Sequence, residues 1–155
     1  MSTDKIKSVD VATETVAGIR SSFNMCLDKL GDSFEIKGLE DLGLAIGYEI
    51  GDVSLIRIGK RSNTSRYALG VSTIESENAQ KVCKGNATKI GENAYNYLSD
   101  KYKGLFKDQV GADLTYDKVK TADEADSEKN KSKKSSLYDS VSQTTIGLKA
   151  HAQSK

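Results

Sequence analysis

Apolar residues recur at steps of three and four early in the chain, at Val16, Ile19, Phe23, Leu27 and Leu30. That spacing predicts one amphipathic helix over Val11 to Leu30, with Ser8 or Asp10 as N-cap and Gly31 as the C-cap glycine. The period then drops to two. Leu44, Ile46 and Tyr48 share one face of a strand, and Val53 and Leu55 share one face of a second. Between them Glu49-Ile50-Gly51-Asp52 predicts a hairpin turn. The second strand is apolar on both faces apart from Arg57, which predicts a place inside a sheet. Lys60 to Arg66 is polar and reads as a loop, and Tyr67-Ala68-Leu69-Gly70 as a short strand. Ser72-Thr73-Ile74-Glu75 has the spacing of a capping box, opening a helix to about Lys84 that Gly85 ends. Ala87 to Leu98 reads as a strand followed by a helical turn, and Leu114-Thr115-Tyr116 as a last strand.

Beyond that point the periodicity fades. From Thr121 to Ser136 nearly every residue is Asp, Glu, Lys, Ser, Ala or Asn. Such a segment cannot bury enough surface to offset an ordering cost of roughly 1–2 kcal/mol per residue for the backbone. Residues 117–155 are therefore expected to form a disordered, charged tail behind a domain spanning 1–116. Leu137, Tyr138, Val141, Ile146 and Leu148 leave open a helix that forms only on a partner.

Composition narrows the chemistry. The 155 residues are 37% hydrophobic and 29% charged, with a net charge of +1, so no global field steers the chain to nucleic acid or to an anionic membrane. The lone histidine, His151, lies in the tail, which argues against a histidine zinc site or a Ser-His-Asp triad. Cys26 and Cys83 lie far apart in helical patterns and are expected to be small buried thiols. The opening Met-Ser-Thr-Asp-Lys has no apolar run and no stretch approaches the roughly 18 apolar residues of a membrane span. A cytoplasmic chain with no membrane partner is expected.

The run Ile46-Gly47-Tyr48-Glu49-Ile50-Gly51-Asp52-Val53, continued to Gly59, Tyr67 and Gly70, resembles a stretch of the class III adenylyl and guanylyl cyclases. In that family a strand carries Ile-Gly, then Gly-x-Val, a further glycine, and a strand whose final glycine opens a helix. The resemblance covers the C-terminal half of the cyclase domain, with the Val11–Leu30 helix in its expected place. It implies an α/β (α+β) fold: a partial, ferredoxin-like class III cyclase fold with the disordered tail attached. It further implies a homodimer, or a complementing cyclase half, with a nucleoside triphosphate at the interface. The implied reaction is attack of the ribose 3′-hydroxyl on the α-phosphate, releasing pyrophosphate.

The same resemblance nominates residues. On the helix after Gly70 the family places an Asn and an Arg that orient the ribose and offset transition-state charge; here Asn78 and Lys81 stand nearest those roles. A gapless alignment instead sets Ile74 and Asn78 at the two positions. Arg66, Tyr67 and Gly70 fall at the nucleotide-binding end, with Tyr67 where base readers sit, though ordinary strand packing accounts for it equally. Tyr67 and the stretch Glu75 to Lys81 resemble the divergent pyrimidine cyclases of bacterial anti-phage defence. The family's metal ligands are two aspartates upstream of the first helix. The complete enzyme would thus use Mg2+ or Mn2+, while this chain alone is expected to bind neither. A non-catalytic cyclase-homology module, binding a partner or a nucleotide, is the alternative.

Overall fold

The computed structural model describes residues 3–34, 38–39, 42–60, 63–83 and 85–133. The chain divides into two units, Met1–Val119 and Lys120–Lys155. In the first, element order is α1 (Thr3–Phe34), β1 (Ile46–Tyr48), β2 (Ser54–Lys60), β3 (Asn63–Leu69), α2 (Val71–Val82), β4 (Ala87–Ile90), α3 (Glu92–Tyr97), α4 (Asp100–Lys103) and β5 (Val110–Ala112).

Two sheets result rather than one. β1 pairs parallel with β4, Ile46 opposite Thr88 and Tyr48 opposite Ile90, and β5 lies antiparallel on the other side of β4. β2 and β3 pair only with each other, antiparallel, from Ser54–Leu69 to Lys60–Asn63. The hairpin expected between β1 and β2 is therefore not formed. A parallel partner needs a crossover, and here the β2–β3 excursion and α2 provide it.

α1 lies on one face of the three-stranded sheet and α2 on the other. Tyr48 and Thr88 face α1: the Tyr48 hydroxyl hydrogen-bonds Thr13 Oγ1 at 2.8 Å, and Thr88 Oγ1 accepts from Arg20 at 2.9 Å. The buried face of α1 is Val9, Thr13, Val16, Ala17 and Arg20. The stripe expected from periodicity coincides with this face only in part: Val16 is buried and Phe23 and Leu27 half-buried, but Ile19 is 51% exposed and Leu30 39% exposed. Small side chains at 13 and 17 let the helix axis approach the sheet, so packing distance outweighs hydropathy in choosing the face. Ile90, Ala94, Leu98, Tyr102, Phe106, Leu114 and Val119 complete the core.

α1 is also longer than expected, starting at Thr3 and passing through Gly31, whose helical cost of about 1 kcal/mol is too small to stop it. Neither proposed N-cap acts as one. Ser8 Oγ bonds back to the Asp4 carbonyl at 2.8 Å, and Asp10 Oδ1 accepts the Ser99 N–H at 3.1 Å. The last strand is β5, with Leu114 beyond it as a buried core residue and Tyr116 already helical. Cys26 is exposed, against expectation, while Cys83 is half-buried and its thiol donates to the Ala79 carbonyl at 3.3 Å.

In the second unit residues 120–133 are helical where composition pointed to disorder. Ala, Glu and Lys are strong helix formers, and Asn130 bonds Asp126 one turn back at 2.8 Å. Leu137, Tyr138, Val141, Ile146, Leu148 and His151 lie outside the described residues.

Candidate functional site

Three of the four glycines singled out in the sequence form a seam where β1, its following loop and α2 meet. A side chain on Gly47 would strike the backbone of Ser76 and Gln80, and one on Gly51 would strike Ser72. Gly70, the N-cap of α2, lies against the Asp52 carbonyl, which leaves no room for a Cβ. The capping box is absent: α2 starts at Val71, and the buried Ser72 hydroxyl, pressed towards Gly51, has no hydrogen-bond partner among the described residues. The close approach that the glycines permit moves Ser72 off the helix end.

The seam brings α2 against the C-terminal ends of β1 and β4, and a cleft of about 350 Å³ opens there. Open α/β sheets place ligands at such strand ends. Its lining includes Glu49, Glu75, Asn78, Lys89, Glu92 and Gln109. Glu49 is held rigidly. Its Oε1 accepts the N–H of Ile50 at 2.7 Å and of Ala94 at 2.6 Å, while Oε2 accepts that of Asn93 at 3.2 Å. The carboxylate thus caps α3 from the end of β1. Behind the sheet, burial pushes the Tyr48 phenol well above its usual range, outweighing the bond to Thr13 that pulls it down. Burial also lowers Arg20, against the pull of Asp113.

The nominated residues scatter. Asn78 lines the cleft. Lys81, one turn on, does not, and its ammonium pairs with Glu77 at 2.6 Å on the exposed side of α2. That bond, and then the lysine's charge, lower the Glu77 carboxyl. Gly70 sits at the start of α2. Arg66 and Tyr67 lie on β3, opposite Arg57 and Ile56, with Tyr67 49% exposed. The segment from Lys60 to Arg66, polar enough to be expected as a loop, is therefore mostly strand, with only 61–62 between β2 and β3. Polar composition concealed it because neither face of this hairpin is buried, and Leu55, expected inside a sheet, is 76% exposed. Glu49, Lys89 and Gln109 carry no sequence signal for the cleft, since sheet pairing and the α3 cap alone bring them together.

Over 123 residues the chain is 40% identical to a uridylate cyclase of Pseudomonas aeruginosa, matching 77% of itself and 23% of that protein. A uridylate cyclase of a Rhizobium species is 34% identical over 113 residues, matching 72% of the chain and 20% of the relative. The crystal structure of a class III adenylyl cyclase-like ATP-binding protein from Pseudomonas aeruginosa superposes with a TM-score of 0.70 and 38% identity, covering 77% of this chain and 25% of that one. The chain carries a divergent class III cyclase fold. No family model matches it. It spans about a quarter or less of the length of the cyclases it resembles. No described helix is long and apolar enough to cross a membrane.

Proposed function

We propose that the chain is part of a nucleotidyl cyclase that converts a nucleoside triphosphate to a 3′,5′-cyclic nucleotide and pyrophosphate, with uridine triphosphate as the substrate and the product a second messenger in anti-phage defence. The observation that carries this reading is the cleft holding Asn78 at the strand ends of a fold 40% identical to a uridylate cyclase. In this reading Asn78 orients the ribose, Lys81 leaves Glu77 to meet the phosphates, and Arg66, Tyr67 and Gly70 contact the nucleotide. The working unit is a homodimer or a pairing with a complementing half.

The reaction class draws on Mg2+ or Mn2+ to activate the hydroxyl and bind the phosphates. Among the described residues no three His, Cys, Asp or Glu side chains are placed to hold a metal ion together, the cleft glutamates included, and no step here runs through one.

A second reading, a non-catalytic module that binds a partner or nucleotide, is favoured by the Lys81–Glu77 ion pair and by three glutamates in the cleft. The two separate in a chimera in which this chain replaces the matching stretch of the Pseudomonas uridylate cyclase. Cyclic product from UTP, reduced at least about tenfold by Asn78→Ala, is the expected result. A folded, dimeric but silent chimera would hand the chain to the second reading.

A further inference from the structure

We propose that Arg57 and Arg66 form a cross-strand clamp on the β2–β3 hairpin for the phosphate chain of a nucleoside triphosphate, an inference that rests on the nucleotide reading above and adds Arg57 to it. The two residues are direct partners in the antiparallel register and so project from the same face of the ribbon. Both are exposed. Among the described residues neither has an ion pair or a hydrogen bond.

Like charges placed directly opposite on a two-stranded ribbon oppose its folding. Proteins usually relieve such a pair with a neighbouring carboxylate. Here none is near in sequence: between Asp52 and Glu75 the chain has four cations, Arg57, Lys60, Arg61 and Arg66, and no acidic residue. With a net charge of +1 overall, the rest of the chain is net acidic, so positive charge is concentrated in the stretch of sequence that carries β2 and β3. The neighbours on the same face, Leu55, Gly59, Thr64 and Ala68, add a hydroxyl donor and no acceptor carboxylate.

Two guanidinium forks side by side, on backbone positions about 5 Å apart, match adjacent phosphoryl groups and bind them bidentately. A condensed phosphate is the occupant this charge pattern fits. The cleft beside Asn78 does not offer the same, because Glu49, Glu75 and Glu92 line it. Tyr67 and Ile56 occupy the opposite face of the ribbon, so Arg66 and Tyr67, adjacent in sequence, face different surroundings.

The test is calorimetric titration of the full chain with inorganic tripolyphosphate, UTP and uridine at low salt. Tripolyphosphate and UTP are expected to bind, uridine weakly, with Arg57→Gln and Arg66→Gln each weakening tripolyphosphate about tenfold and Arg57→Lys less. A second readout needs no ligand: Arg57→Gln should raise the melting temperature by about 1–3 °C at low salt, because it removes the repulsion. Added sodium chloride should erase that difference. Equal tripolyphosphate affinity in all variants, or none in the parent, overturns the clamp. UTP binding that ignores both arginines overturns it while leaving the cyclase reading intact. A silent chimera with an arginine-dependent tripolyphosphate site sinks the cyclase reading alone. Tighter binding of a single-stranded oligonucleotide than of UTP overturns the clamp in favour of nucleic acid.

Discussion

Gly47 of β1 and Gln80 of α2 meet backbone to backbone, so close that a single methyl on Gly47 would overlap the Gln80 amide. Both contacting groups are main chain, so neither can swing aside as a side chain would. Gly47→Ala should therefore push α2 off the sheet and cost about 3 kcal/mol, read from the urea midpoint at unchanged slope. Gly18→Ala, with nothing within 4 Å of the added carbon and a helical backbone, should be neutral or stabilising by about 1 kcal/mol. Equal effects would mean the seam is not tight.

Glu49 caps α3 across the mouth of the cleft, receiving the N–H groups of Asn93 and Ala94. Glu49→Gln keeps its size but gives up the negative charge at a helix N-terminus. A loss of about 1–2 kcal/mol is expected, together with faster amide exchange at Asn93 and Ala94. Unchanged exchange at those two amides would show that the cap does not hold α3.

The raised Tyr48 ionisation has a pH consequence whose sign is fixed. A folded value above the ordinary 10.0 means the phenol stabilises the fold fully below that pH. Its contribution is lost as pH rises, because the unfolded chain ionises first. The melting temperature should fall as pH rises above about 10, and Tyr48→Phe should lessen that fall relative to the parent. A fall of the same size in the variant would assign it to other groups.

Arg20 is fully buried, and its hydrogen-bond partners among the described residues are neutral: the Ala87 carbonyl at 3.0 Å, Thr88 Oγ1 at 2.9 Å and Asn86 Oδ1 at 3.4 Å. Asn86 Oδ1 also accepts the Leu44 N–H at 3.0 Å, so one guanidinium ties α1 to the approach to both β1 and β4. Arg20→Ala leaves a cavity and at least one unpaired acceptor, with an expected cost of about 3–5 kcal/mol. Arg20→Met fills the volume but not the hydrogen bonds, and should recover part of it. Full recovery by methionine would reduce the role of Arg20 to space filling.

Tyr67 is half-exposed on β3, available to a ligand in a way a core tyrosine is not. In the uridylate cyclase chimera, Tyr67→Asp should shift the relative kcat/KM for UTP against ATP by about tenfold or more. An unchanged ratio removes Tyr67 from base selection.

The order of elements from α1 to α3 was legible because strand and helix periods differ, and because glycines mark where chain segments turn or touch. Their partners were not. β1 and β2 follow one another around a turn-like Glu49–Asp52, yet β1 pairs with β4, some forty residues on. Local pattern says that a strand exists; which strand lies beside it depends on where α2 finds room to pack. The cleft shows the same division. Asn78 was nominated by the cyclase resemblance, whereas Lys89 and Glu49 reach the cleft through β1–β4 register and the α3 cap, neither of which leaves a local trace.

The sequence by itself determined the α/β class, the glycine pattern and the absence of acidic residues from Val53 to Ile74, which follow from residue type and spacing along one segment; the candidacy of Asn78 came from the cyclase resemblance that the glycines carry. Only the tertiary structure decided that Gly47 and Gly70 serve close approach rather than a turn, that Arg57 stands opposite Arg66, and that Lys81 is engaged by Glu77. Such relations depend on distances between separate segments, and packing sets those distances only when the whole unit folds.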